Sequence, residues 1–566
     1  MLIGKKNYIP VAEGLVFLAL IGLYIWNLLS RFWLLPCHLD SVEYLGPAMY
    51  GTTWGGYWPW LDRLSLAVGL RSLSLLMPIF LFPRYMAGPA YIALVNIAIL
   101  IIGMVWAYRK SGFLAAFFVG VFINISYHTL IWGTPIYPDQ SVALYSLLAF
   151  VFFFTSRPKT KFIRPILIAG FFTALTCFSK IIGIGSLAFF LIFIIYYCSW
   201  DKLKEFLLGL VIGAFVVLGL YMLLYNYQSL IYTMKEFFVS NVGVNINNTI
   251  GGNYLSFINV VLDLKFFPLI GLVIAVNAYR QENTRNLFWV AWTNIVILYL
   301  YVAMSSFGGG TNGRNIYTAY VFTTLGLSIY LAKTFFMGES RFLSGLFKDK
   351  TIAAAVLGFV TVVLIILGFN IGILFNPVEY TPTIFPAYIK WFYILGPLLL
   401  VGLLVLIGFV RSKAVVLLFI LVAVIWNPAY NGGLANNYEK SLQSYCNFFF
   451  DAASVLKEVP AEQYGIYVNG FKEVEHDERI IWIYKYYYDE KYPKETGYDG
   501  LKKYNQLIKE NIQYLSGEAA LKDVKGNYVL TDSEAIVAQY YPQAREVKEI
   551  NWSGGVLSVM ELVPGQ

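Results

Sequence analysis

Charge is scarce in this chain. Only 13% of its 566 residues are Asp, Glu, Lys or Arg, while 58% are hydrophobic and 18% aromatic. Soluble domains carry about 25% charged residues, so an ordinary water-soluble globule is excluded. Histidine is nearly missing as well. The three present, His38, His128 and His476, have no ligand spacing, which argues against a zinc centre. The four cysteines, Cys37, Cys177, Cys198 and Cys446, show no metal spacing; the one disulfide considered is Cys37–Cys446, outside the cell, and it is not the favoured reading. No cofactor is expected, although a divalent cation held by carboxylates stays compatible with the composition. No internal repeat or low-complexity segment stands out.

Long apolar runs are what the chain has. A helix crossing the hydrocarbon core needs roughly 20 apolar residues. Runs near that length recur at Val11–Leu29, Tyr85–Tyr108, Phe113–Leu130, Val142–Phe154, Pro165–Phe178, Ile181–Cys198, Phe206–Tyr225, Phe266–Tyr279, Leu287–Met304, Ile316–Ala332, Ile352–Phe375, Trp391–Val410 and Ala414–Trp426. The predicted architecture is an all-α polytopic membrane domain over residues 1–428, with about 13 transmembrane helices. The first run follows Lys5 and Lys6 with no small-residue cleavage site behind it, and reads as a retained helix.

The net charge of +8 belongs to loops rather than to a nucleic-acid surface. Alternate loops hold Lys5/Lys6, Arg109/Lys110, Arg157/Lys159/Lys161/Arg164, Lys202/Lys204, Arg280/Arg285, Lys333/Arg341/Lys348/Lys350 and Arg411/Lys413. The intervening loops have only scattered basic residues. The positive-inside rule makes the first set cytoplasmic. The expected protein is therefore a multi-pass integral protein of the plasma (inner) membrane, with its N-terminus inside and its C-terminal tail outside. Leu64–Leu81 is apolar enough to be a span, but Arg71 lies near its middle, and counting it would invert every later loop. It reads as an interfacial or re-entrant helix within a first outer loop, residues 31–84.

From about Asn427 the composition becomes richly charged. Phe448–Leu456 and Leu501–Leu515 read as helices, and Gly465–Val468, Arg479–Tyr484, Tyr528–Thr531 and Val556–Glu561 as strands. Residues 429–566 suffice for a small extracytoplasmic α/β domain.

Span interiors hold almost no ionisable groups; Glu13 and His128 lie near span ends. Ion-coupled transporters keep such groups near the midplane, so their scarcity counts against transport. The outer ends differ. Asp40 and Glu43 follow the first span in His38-Leu39-Asp40-Ser41-Val42-Glu43-Tyr44. Asp139 opens the fourth in Tyr137-Pro138-Asp139-Gln140. Lys180 lies in the turn after Phe178-Ser179, and Arg314 follows Gly308-Gly309-Gly310-Thr311-Asn312-Gly313. All fall on one face of the membrane by loop charge. Each also has a simpler reading. Asp40 and Asp139 suit helix caps, Lys180 suits an interfacial snorkel, and Arg314 suits lipid headgroups.

Two carboxylates with two cations suit transfer of a sugar from an activated phosphate. A carboxylate takes the proton of the attacking hydroxyl, and Lys and Arg stabilise the negative charge growing on the phosphate that departs. Glycoside hydrolysis also uses two carboxylates, but one must protonate the leaving oxygen; a phosphate needs no such proton.

The ordered motifs Asp40-Ser41-Val42-Glu43-Tyr44, Pro138-Asp139, Ser179-Lys180 and Arg314 resemble the C-type (GT-C) polytopic membrane glycosyltransferases. The branch resembled is that of protein O-mannosyltransferases and lipid A aminoarabinose transferases. The chain departs from the family pattern at Ser41, where a glutamate is frequent, and at Asn315, where a tyrosine is. The resemblance implies a hexosyl- or pentosyltransferase with a polyprenyl-phosphate sugar donor. The transfer is inverting, onto an acceptor hydroxyl of a lipid, glycan or protein, outside the cytoplasm. It also implies that Asp40 is the base and Asp139 an acceptor-side carboxylate, with Lys180 and Arg314 at the donor phosphate. Glu43 stands as a further catalytic candidate, and Arg71 and Arg84 as further phosphate contacts. The rival readings are a lipid or polysaccharide transporter or flippase, and a structural subunit of a cell-envelope assembly.

Overall fold

The computed structural model describes residues 11–29, 63–82, 84–125, 136–155, 164–225, 317–332, 464–467, 512–515, 518–524, 526–552 and 555–563, with shorter helical pieces at 44, 45, 48, 230, 231, 292 and 294–296. Two compact units divide the chain. One comprises residues 1–30, 92–217 and 240–438, the other residues 31–91, 218–239 and 439–566.

The first unit is helical throughout its described residues. Its elements are α1 (Val11–Leu29), α3 (Ala87–Ser111) from residue 92 on, α4 (Phe113–Ile125), α5 (Pro138–Thr155), α6 (Pro165–Cys177), α7 (Ile184–Tyr197), α8 (Trp200–Tyr225) up to residue 217, and α9 (Tyr317–Leu331); the remaining ends of α3 and α8 belong to the second unit. Helix α2 (Leu64–Leu76) belongs to the other unit. Prolines open α5 and α6, where the missing N–H is one the helix leaves unbonded anyway and φ is already helical. Helix α3 ends with Arg109 and Lys110 in its last turn and Gly112 just beyond, at φ 83°, the left-handed conformation that lets the Gly112 N–H close on the Tyr108 carbonyl at 2.8 Å.

Helices α3 and α8 are each long and apolar enough to cross a membrane. The 26 residues of α8 extend about 39 Å. Phe215 is 70% exposed and Leu223 80% exposed on that helix, an arrangement costly in water and suited to hydrocarbon. The predicted spans from Val11 to Tyr225, and the one at Ile316–Ala332, each coincide with a helix here, within a few residues except where α4 is described only to Ile125, α5 begins at Pro138 and α8 at Trp200. The predicted spans at 266–279, 352–375, 391–410 and 414–426, and most of 287–304, lie outside the described residues.

Packing in this unit is aromatic and close. Phe150, fully buried in α5, meets Trp106 of α3, Phe189 of α7 and Phe322 of α9 with ring centroids 5.3–6.4 Å apart. Helix α1 is tied to α4 by Asn124 Nδ2, which donates to the Leu20 carbonyl at 3.1 Å, and to α3 by Tyr108, whose hydroxyl donates to Glu13 at 2.9 Å. A Cβ on Gly170 of α6 would run into the Phe206 carbonyl of α8. Glycine there lets two backbones touch, the usual device where helices pack without a hydrophobic driving force.

In the second unit α2 continues as a 3₁₀ turn (Met77–Phe80) and stops at Leu81, whose φ of 62° is left-handed. The 13 residues of α2 rise about 20 Å, short of the hydrocarbon core. Its flank is pinned by Tyr225, whose hydroxyl donates to the Ala67 carbonyl at 3.0 Å.

The carboxy-terminal part of this unit is a mixed five-stranded sheet in the order β2-β1-β3-β5-β4: β1 Tyr464–Tyr467, β2 Ile512–Tyr514, β3 Tyr528–Thr531, β4 Arg545–Trp552 and β5 Gly555–Glu561. Strand β1 runs parallel to β2 and β3, with Tyr464 opposite Ile512 and Tyr528, while β5 runs antiparallel to β3 and β4. Helix α10 (Glu534–Tyr540) follows β3, and Tyr467, Leu515, Leu521, Val529, Val537, Met560 and Leu562 form the core. Three of the predicted strands are present. One expectation needs correction: the helix predicted over Leu501–Leu515 does not reach its end, because Ile512–Tyr514 is a strand. A short apolar run is ambiguous between the two periods, and pairing with β1 decides it. The predicted helix at 448–456 and strand at 479–484 lie outside the described residues.

Candidate functional site

Asp139 and Lys180 are brought together by a helical hairpin. Helices α5 and α6 are consecutive and pack along their length. Phe172 of α6 stacks on both Tyr145 and Phe152 of α5, with centroids 6.3 and 5.8 Å away, so it stands level with the middle of α5. About two and a half turns from that level, at the start of α5 and just past the end of α6, stand Asp139 and Lys180.

They form a buried ion pair. Lys180 Nζ donates to Asp139 Oδ1 at 2.8 Å and Oδ2 at 3.0 Å. Each residue is 4% exposed. Asp139 lies in the first turn of α5, where backbone N–H groups favour negative charge; Lys180 follows the end of α6, where carbonyls favour positive charge. The turn carrying Lys180 is itself held. Ser179 Oγ donates to the Leu175 carbonyl at 2.7 Å, Ser179 N–H to Thr176 at 3.1 Å, and Gly183 N–H to the Lys180 carbonyl at 2.8 Å. Tyr137, Gln140, Ser141 and Ser179, beside the pair in sequence, are also buried.

In the same unit, Tyr317 opens α9, three positions after Arg314 in sequence. Its hydroxyl donates to Asn96 Oδ1 of α3 at 2.5 Å, and both residues are buried. Asn96 in turn donates to the Ile92 carbonyl at 2.9 Å. This anchors the start of α9, a role that sequence reading missed. A tyrosine at the head of an apolar run looks like an interfacial residue until its partner, more than two hundred positions away, is known.

In the second unit, Arg71 of α2 is 9% exposed and donates from Nη1 to the Ala48 carbonyl at 3.0 Å. Burial lowers its pKa, Tyr225 opposes that shift and Arg84 adds to it; an arginine so shifted keeps its charge. Arg84 opens the 3₁₀ turn Arg84–Met86 and is exposed. Arg63, just before α2, donates to the Tyr44 hydroxyl at 2.5 Å and lies over its ring, 5.2 Å from the centroid. Tyr44 is the residue after Glu43, and this hold on it was not foreseen from sequence. Asp40, Glu43 and Arg314 lie outside the described residues. Among the described residues no group of histidine, cysteine and carboxylate side chains is arranged to hold a metal ion.

No family model matches the chain, and no curated protein matches it. Solved structures do. The crystal structure of ArnT from Cupriavidus metallidurans bound to undecaprenyl phosphate superposes with a TM-score of 0.58 at 13% identity, covering 99% of this chain and 100% of that one. The apo state of the same protein gives 0.53 at 14% identity over 98% and 100%. The archaeal oligosaccharyltransferase AglB from Archaeoglobus fulgidus, in complex with an inhibitory peptide and a dolichol-phosphate, gives 0.46 at 11% identity over 94% and 70%. The likeness covers 99% of this chain and all of the ArnT chain, and this protein has the fold of ArnT.

Proposed function

We propose that the protein is an inverting glycosyltransferase that moves a sugar from a polyprenyl-phosphate donor to an acceptor hydroxyl on the extracytoplasmic face. The observation that carries the reading is a carboxylate and an ammonium buried together at one end of a helical hairpin, in a chain with the ArnT fold. Buried charge is expensive and accumulates where chemistry uses it.

The step proposed is a displacement at the anomeric carbon. Asp40 takes the proton of the acceptor hydroxyl as the acceptor oxygen bonds to that carbon. The bond from carbon to phosphate oxygen breaks on the opposite side, its electron pair leaves with the polyprenyl phosphate, and the configuration inverts. The charge growing on the departing phosphate is the part assigned to Arg314, Arg71 and Arg84 as cations. Asp139 orients the acceptor, and Glu43 is a further catalytic candidate. Residues 1–428 form the catalytic membrane domain and residues 429–566 a domain on the outer side. The N-terminus is cytoplasmic.

The test uses purified protein and a panel of undecaprenyl-phosphate sugars. Asp40→Asn is expected to lower transfer by at least ~100-fold, the scale of a lost general base, with donor binding retained. Undiminished transfer would remove Asp40 from this role. An unmodified protein that consumes no donor of the panel would favour transport or a structural role instead.

A further inference from the structure

We propose that Lys180 is a positioning residue for Asp139, its ammonium committed to that carboxylate rather than to the leaving phosphate. The proposal rests on the glycosyl-transfer reading and assigns the acceptor side of that same site.

The geometry carries it. Nζ bridges both carboxylate oxygens, at 2.8 and 3.0 Å, with the two side chains 5% and 6% exposed. A cation closed on a carboxylate in this way is half of a neutral pair. Seen by a third group, its field is that of a dipole and falls faster with distance than that of a charge. A phosphate brought to this ammonium would also approach the Asp139 carboxylate, of like charge, where little water screens the repulsion. Phosphate recognition suits the planar guanidinium fork, which Arg314, Arg71 and Arg84 can supply.

The same geometry suits the handling of an acceptor. An ionised carboxylate has about four lone-pair sites. The bridging ammonium engages those between the two oxygens, and an acceptor hydroxyl would donate to an outward one. A carboxylate that orients an acceptor must not rotate, and Asp139 is held from both directions. Its backbone begins a proline-started helix. Its counter-ion stands on a turn tied by Ser179, Thr176 and Gly183. Lys180 thus acts through Asp139, without touching the donor.

Removing Lys180 alone leaves Asp139 buried without its counter-ion, which can prevent folding. The decisive protein is therefore the double variant Asp139→Asn/Lys180→Met, in which neither charge remains. It is compared with the unmodified chain, both single variants, Lys180→Arg and the exchange Asp139→Lys/Lys180→Asp. Two quantities are read on the full chain in detergent: the affinity for undecaprenyl phosphate, and turnover with the undecaprenyl-phosphate sugar panel. Affinity is expected to stay within about threefold of the unmodified chain in the double variant and in Lys180→Arg, while turnover falls at least tenfold in each single variant and no further in the double, the non-additivity of residues acting as a unit. Lys180→Arg is expected to retain more turnover than Lys180→Met.

A tenfold loss of affinity wherever the ammonium is removed would place Lys180 at the phosphate and overturn the proposal. Losses that multiply would do the same. An exchange variant that regains both thermal stability and turnover would reduce the pair to a structural tie. Failure of the glycosyl-transfer reading looks different: the unmodified chain itself would neither bind undecaprenyl phosphate nor consume any donor, and the role of Lys180 would fall with it.

Discussion

A lysine or aspartate is almost never fully buried unless paired, and Asp139 and Lys180 follow that rule with each other. Each was legible from sequence as a candidate, since a carboxylate after a proline and a lysine in a tight turn are unusual at the edges of apolar runs. Their contact was not legible, because it depends on the register between α5 and α6, which ring stacking across the hairpin sets. A buried pair of this kind adds little net stability, but breaking it by removing one partner costs about 3–5 kcal/mol. The contact between Tyr317 and Asn96 is a second case. Tyr317→Phe leaves the Asn96 carbonyl oxygen without that donor in a buried setting, and is expected to cost about 1–3 kcal/mol. Thermal unfolding of the purified protein in detergent measures it, and no change would mean that this contact does not anchor α9.

The helices were the most legible elements. Apolar length, prolines at their starts and basic residues at their ends were enough to locate α1 and α3–α9 to within a few residues at most ends. Element type failed where the run was short. Ile512–Tyr514 alternates over too few residues to declare itself, and only its partner β1 makes it a strand. The crossing of α6 and α8 was equally hidden, since a lone glycine in an apolar helix has no direction in sequence. Gly170→Leu would force the two backbones apart at the Phe206 carbonyl. It is expected to destabilise the membrane unit by more than ~3 kcal/mol, the upper range for a packing clash. The measurement is the yield of monodisperse protein and its melting temperature; a wild-type melting temperature would show that the helices do not meet there.

At the scale of the whole molecule, the orientation proposed from loop charges is open to direct measurement. Cys198 is exposed at the end of α7, beside the basic pair Lys202 and Lys204. A chain retaining it as its single cysteine is expected to react with a membrane-impermeant maleimide only after spheroplasts are permeabilised, since positively charged loops stay inside. Labelling of intact spheroplasts would invert the topology and move Asp139 and Lys180 to the cytoplasmic side. The sequence alone determined that this is a many-helix membrane protein with a charged α/β tail, because hydrocarbon leaves a chain few alternatives and apolar length is a local property. It also narrowed the chemistry to a handful of ionisable residues by leaving so few. Which of them meet was settled only in three dimensions. Asp139 and Lys180 are separated by 41 positions and become neighbours through the packing of two helices, and the partition of the cations into two units depends on contacts that no local pattern encodes.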